Sequence, residues 1–233
     1  MQVAAHLTRR IVSGEIEGGR APSELEISQE FGVSRVVARE TLKILASLDI
    51  VDIAQGRRVA VRPLAEWDYL SPLLIEWLPE ELVDELLQEL LQMRVLLEPE
   101  LAAMAAATAG DETLARLRDL LDRMQDLEDD PDAYLEVDHE FHIEICRAAN
   151  NRIVDRIMYS ARWLGAASRR VTNEGPDALR GATEAHRTVY AALEARDPEA
   201  ARETMRSHLQ GNFPILAEKR KRAERASKRM TSE

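Results

Sequence analysis

Only one stretch of this chain, residues 50–62, alternates apolar and polar side chains; elsewhere apolar residues recur every third or fourth position. That contrast confines the chain to a helical fold with one small β element. Within the stretch, Val51 and Ile53 face Val59 and Val61 across Gln55-Gly56-Arg57-Arg58, the pattern of a β-hairpin. Three helical segments precede it. Val3, Leu7, Ile11 and Val12 repeat at helical spacing, predicting a helix to Ile16 that Gly18-Gly19 ends. Ser23 followed by Glu26 forms a capping box that opens a short second helix through Phe31, closed by Gly32. Ser34 caps a third helix to about Leu48, with Val37, Thr41, Leu42, Ile44, Leu45 and Leu48 on its buried side.

This order is that of a winged helix-turn-helix, a fold used on DNA. The net charge of −11 argues the other way, since nucleic acid calls for a basic footprint. Its distribution resolves the conflict. Residues 1–62 hold nine basic and eight acidic side chains, residues 63–217 fifteen and thirty-one, and residues 218–233 seven and three. The acidity therefore sits in the middle of the chain. In the first segment Arg35, Arg39 and Lys43, four residues apart, form one basic stripe on the third helix. Cations in the opening turns do nothing for the helix, because its dipole prefers them at the other end. They suit a helix whose N-terminus enters the major groove, where arginine pairs with guanine O6 and N7. Arg57 and Arg58 at the hairpin tip can reach the backbone or the minor groove.

Ile11-Val12-Ser13-Gly14-Glu15-Ile16, Pro22-Ser23-Glu24 and Phe31-Gly32-Val33-Ser34-Arg35 with Arg39-Glu40 resemble the DNA-binding domain of the GntR family of bacterial regulators. The resemblance implies that Ser34, Arg35 and Arg39 contact an operator and that the wing glycine, Gly56, enters the minor groove. The chain departs from the usual pattern at Gly18-Gly19, Leu25, Val36, Val37 and Ala38, which bears on the operator sequence and not on the fold.

Beyond a linker holding Pro63, Pro72 and Pro79, about six helical stretches follow, divided at Gly110-Asp111, Asp129-Asp130-Pro131, Asn150-Asn151, Gly175-Pro176 and Asp197-Pro198. The expected organisation is a head over 1–62, a linker over 63–79, an all-α antiparallel bundle over 80–218 and a basic tail over 219–233. One cysteine, Cys146, gives no internal disulfide, and no apolar run approaches the ~20 residues that cross a bilayer. A soluble cytoplasmic protein without membrane contact is expected.

Four of the five histidines follow residue 138. Asp138 and His142 stand one above the other on one helix, while His186 and His208 lie on two later helices of the bundle. One carboxylate and three imidazoles suit Zn²⁺ first, or Ni²⁺ or Mn²⁺, with positions left for water or a ligand. The same residues, with Phe141, Ala148-Ala149-Asn150, Glu184, Asp197 and Met205, resemble the metal-binding FCD effector domain of the FadR branch of GntR regulators. That resemblance implies Asp138, His142, His186 and His208 as metal ligands and Arg94 as the partner of an effector carboxylate. The linker aromatics Trp67, Tyr69 and Trp77 resemble those of regulators answering to sugar acids.

The expected function is a homodimeric regulator, a repressor, that binds a palindromic operator and responds to a small carboxylate. The alternative is a metal-dependent enzyme with a vestigial DNA-binding head. Two enzyme forms fail on sequence: the doublet here is Asp138-His139, not His-Asp, and the two Glu-x-x-His motifs that a di-iron bundle needs are not both present.

Overall fold

The computed structural model describes residues 1–16, 19–54, 57–161 and 176–214. The chain forms two compact units, Met1–Val83 and Asp84–Glu233. Gly56 and the basic tail, both singled out from the sequence, lie outside the described residues.

In the first unit α1 (Gln2–Val12), α2 (Glu24–Phe31) and α3 (Arg35–Ser47) precede the strands β1 (Val51–Asp52) and β2 (Ala60–Val61). Here α1 ends four residues before the predicted Ile16. Ser13 caps it, and Gly14 at φ +76° turns the chain away, a conformation open to glycine and unfavourable for other residues. Between α2 and α3, Gly32 at φ +63° makes the same kind of turn. The Ser23 capping box is present in both directions: Ser23 Oγ accepts from Glu26 N–H, and Glu26 accepts from Ser23 N–H. These bonds hold the Glu26 carboxyl down to about 2. Loss of the Ser23 hydroxyl removes the N-cap, so Ser23→Ala should lower stability by about 1 kcal/mol in urea unfolding followed by circular dichroism. An unchanged midpoint would show that the box is not closed in solution.

The core of this unit is Ala4, Leu7, Ile27, Ala38, Leu42, Leu45 and Ile50. Val37, expected on the buried side of α3, is 45 % exposed. The buried stripe of α3 runs through Ala38, Thr41, Leu42 and Leu45, and Val37 falls just outside it. The wing is shorter than its alternation suggests, with antiparallel pairs Val51–Val61 and Asp52–Ala60 only. It gains a third segment instead, because Arg20 bridges Ala60 and Ala21 N–H donates to Val59 C=O. After the wing come a 3-10 turn (Leu64–Glu66) and α4 (Pro72–Ile75). Trp67, Leu74 and Trp77 are buried, and Trp67 Nε1 donates to Arg62 C=O.

The second unit is all helical among its described residues: α5 (Glu80–Thr108), whose first turn precedes the unit's start at Asp84, then α6 (Asp111–Asp126), α7 (Pro131–Ala148), α8 (152–161), α9 (Pro176–Glu194) and α10 (Pro198–Gln210). Asp130 and Asp197 cap α7 and α10 through their carboxylates, each followed by a proline at the first helical position. Packing of α6 on α7 and α9, and of α9 on α10, closes a bundle over Leu91, Leu117, Met124, Tyr134, Phe141 and Leu193. No described helix is long and apolar enough to cross a membrane.

Candidate functional site

Six ionisable side chains meet inside the second unit. Arg94 and Glu98 come from α5, Asp138 and His142 from α7, His186 from α9 and His208 from α10. Five of them are no more than 3 % exposed, and His208 is half-buried. So many polar groups are retained in an apolar bundle only if each is paired or holds a ligand.

The three imidazoles converge on one point. His142 Nε2 lies 3.1 Å from His186 Nε2 and 3.3 Å from His208 Nε2. Asp138 Oδ1 lies 3.1 Å from His186 Nε2. A tetrahedral ion with bonds of 2.0–2.1 Å spaces its nitrogen ligands about 3.3 Å apart, so the observed separations suit one ion. One of these rings is incompletely paired among the described residues. His186 is fully buried, and its Nδ1 has no hydrogen-bond partner among the described residues. Burial, reinforced by His186 and Arg94, pushes His208 well below the usual imidazole value, which keeps its lone pair available at neutral pH.

Glu98 is the member that the sequence reading left without a role. Its Oε2 stands 2.6 Å from His142 Nδ1 and its Oε1 accepts from Arg94 Nε at 2.6 Å. A carboxylate on Nδ1–H fixes the tautomer and turns the Nε2 lone pair of His142 toward the other two imidazoles. Burial opposes the charge on Arg94, but Glu98 and then Asp138 more than offset it and hold the guanidinium above its usual value. Arg94 Nη2 also lies 3.3 Å from His142 Nδ1. Arg94, which the family resemblance implies as the partner of an effector carboxylate, is thus inside the cluster and already partnered by Glu98. The clue to Glu98 was its place four residues after Arg94 on a helix face otherwise filled by Leu90 and Leu101. Outside the cluster, His139 lines a separate charged groove with Arg116, Arg123 and Arg147. His208 opens onto another groove of about 400 Å³ between α9 and α10, lined by Gly181, Ala182 and Ala185.

In the first unit, a groove of about 590 Å³ is lined by Arg20, Arg35, Arg39, Lys43, Arg57 and Arg58. The sequence-predicted cations therefore share one surface. Ser34 caps α3 by accepting from Val37 N–H, so its hydroxyl is committed to the helix as well as being exposed. Arg39 grips Glu24 with both prongs, Nε to Oε1 at 2.8 Å and Nη2 to Oε2 at 3.0 Å. The pair joins α3 to the first turn of α2 and sets the arginine's orientation. Lys43 pairs with Glu40 at 2.7 Å, whereas Arg35 stands exposed in the opening turn of α3.

Residues 1–61 match the bacterial regulatory proteins of the gntR family, and residues 89–211 match the FCD domain. The chain belongs to the GntR family. It is 26 % identical over 203 residues to the galactonate operon transcriptional repressor of Escherichia coli K12, an alignment covering 86 % of this chain and 89 % of that one. It is 28 % identical over 219 residues to the Glc operon transcriptional activator of the same strain, covering 89 % and 84 %. Among solved structures, GntR of Streptococcus agalactiae superposes with a TM-score of 0.51 at 25 % identity, over 90 % of this chain and 97 % of that one. This GntR protein is accordingly a transcriptional regulator with an N-terminal DNA-binding unit and a helical effector-binding domain.

Proposed function

We propose that this GntR regulator acts as a homodimeric repressor on a palindromic operator and releases it when a small organic carboxylate, a sugar acid, binds beside a divalent metal ion in the FCD domain. The observation that carries the reading is the convergence of three imidazole Nε2 atoms, 3.1 and 3.3 Å apart, with Asp138 beside them. Asp138, His142, His186 and His208 would hold Zn²⁺, or Ni²⁺ or Mn²⁺, because neutral imidazoles and one carboxylate suit these ions. The ion would supply a Lewis acid for the acid's oxygens, and Arg94, held in place by Glu98, would supply guanidinium donors to the ligand's carboxylate. The galactonate operon named for one relative supports a sugar acid as the ligand.

On DNA, Ser34, Arg35, Arg39 and Lys43 would work in the major groove, with Gly56, Arg57 and Arg58 at the wing. Two heads on a two-fold axis meet half-sites about one helical turn apart. A coupling of ~1–3 kcal/mol between ligand and operator lowers affinity by roughly 5–150-fold, enough for induction. In a gel shift with DNA from upstream of the protein's own gene, Arg35→Ala and Arg39→Ala should each abolish specific binding while leaving the fold intact. Variants that bind as wild type does would remove α3 from the interface. A thermal-shift screen of sugar acids, with and without Zn²⁺, tests the second half: a ligand should raise the melting temperature only in the presence of metal.

A further inference from the structure

Apolar side chains stand exposed in and beside the basic groove, where phosphate binding does not explain them. Val36, the second residue of α3, is 68 % exposed. At about 100° per residue, the buried stripe of Ala38, Thr41, Leu42 and Leu45 places Val36 directly opposite the core, on the outward face of the helix. It is flanked in sequence by Arg35 and shares its face with Arg39 and Lys43. Leu25 and Ile53, 46 % and 47 % exposed, line the groove that those cations line. A β-branched residue is a poor choice for an exposed helical position on propensity alone, and a valine in water gains nothing from burial.

We propose that Val36 reads the 5-methyl group of a thymine in the operator's major groove. Its side chain has no atom that donates or accepts a hydrogen bond, so it cannot recognise a nitrogen or oxygen on a base edge. The one apolar feature that the groove presents is the thymine methyl. The position fits, since the N-terminal residues of a recognition helix are those that reach base edges. The cations around it bring the helix to the duplex, and Val36 then discriminates among sequences. The inference rests on the reading of α3 as the recognition helix and adds which base feature its outward residue selects.

The test begins with selection of bound duplexes from a random-sequence pool by the full-length wild-type protein. Each thymine of the enriched duplex is then replaced singly by deoxyuridine, which removes the methyl group and nothing else. One thymine per half-site should be sensitive, with wild-type affinity falling about fourfold for one methyl and about fifteenfold when both half-sites are changed. Val36→Ala should bind the thymine duplex more weakly and lose almost nothing further with deoxyuridine at that position. Its exposure makes misfolding of the variant a minor concern, and Val36→Thr, which keeps the shape, serves as a second check and should retain part of the methyl sensitivity. An enriched duplex whose thymines can all be replaced without effect overturns the methyl contact and leaves DNA binding standing. So does a sensitivity of the same size in wild type and Val36→Ala. A pool that never enriches overturns DNA recognition by α3, and the methyl contact with it.

Discussion

His142→Ala is expected to strip the FCD domain of the proposed metal ion and of the stabilisation that ion would confer. His142 is the hub of the cluster: its Nε2 faces both other imidazoles, and its Nδ1 is held by Glu98. Without it, two imidazoles and a carboxylate remain but the imidazole between them is gone, so the variant should give up its ion to a competing chelator. Wild-type protein given an ion at a thousandfold excess over its dissociation constant gains about 4.1 kcal/mol. For a unit of ~150 residues that is a rise of about 8–16 °C in melting temperature. Elemental analysis should find about one divalent ion per wild-type chain and none in the variant, and calorimetry should show that Zn²⁺ and chelator move only the wild-type transition. His208→Ala separates the ion from the fold, because His208 is half-buried and is not the partner of Glu98. It should lose the metal response at smaller cost to the apo protein. Wild-type protein that stays metal-free after Zn²⁺ is added, or His142→Ala that keeps an equimolar ion, would dispose of the site.

What could be read from the sequence was what local rules determine. The boundaries of α2 and α3 follow from Ser23, Glu26, Gly32 and Ser34, whose capping roles depend on neighbours two or three residues away. Where two local signals compete, periodicity misleads. Ile16 falls in helical register with Val12, yet Ser13 and Gly14 end α1 first. Val37 lies at the edge of a stripe whose centre is fixed by packing on α1 and α2, which no single-helix period reveals. The wing strands are two residues each, too short for alternation to define, and their third partner comes from residues 19–21. In the second unit Asp138 and His142 announce themselves by their spacing, and His186 and His208 by residue type. Glu98 does not. A glutamate on a helix ordinarily reads as a solvated face, and its burial arises only where α5 meets α7, 44 residues away in sequence.

The same glutamate should show the second large effect, with stability and metal affinity responding differently to its replacement. Glu98 is 1 % exposed, and Arg94, 3 % exposed, depends on it for charge compensation. Removing one partner of a buried pair leaves an uncompensated ion and typically costs 3–5 kcal/mol, so Glu98→Ala should unfold at markedly lower urea. Glu98→Gln keeps the shape and one acceptor, and its loss of stability should be smaller. It nevertheless gives up the charge that polarises His142 Nδ1–H, and supporting carboxylates of this kind are worth about 10–100-fold in metal affinity. Competition with a chelating indicator should register that fall even though all four proposed ligands remain. The double change Arg94→Met with Glu98→Leu distinguishes the two contributions. Replacing both members of a buried ion pair by apolar side chains of similar volume is often neutral or stabilising, so the double variant should recover most of the stability. It should not recover the affinity, because His142 then has no carboxylate to set its tautomer. Recovery of both would mean that Glu98 serves Arg94 alone; an unchanged urea midpoint in Glu98→Ala would mean that the pair is not buried in solution.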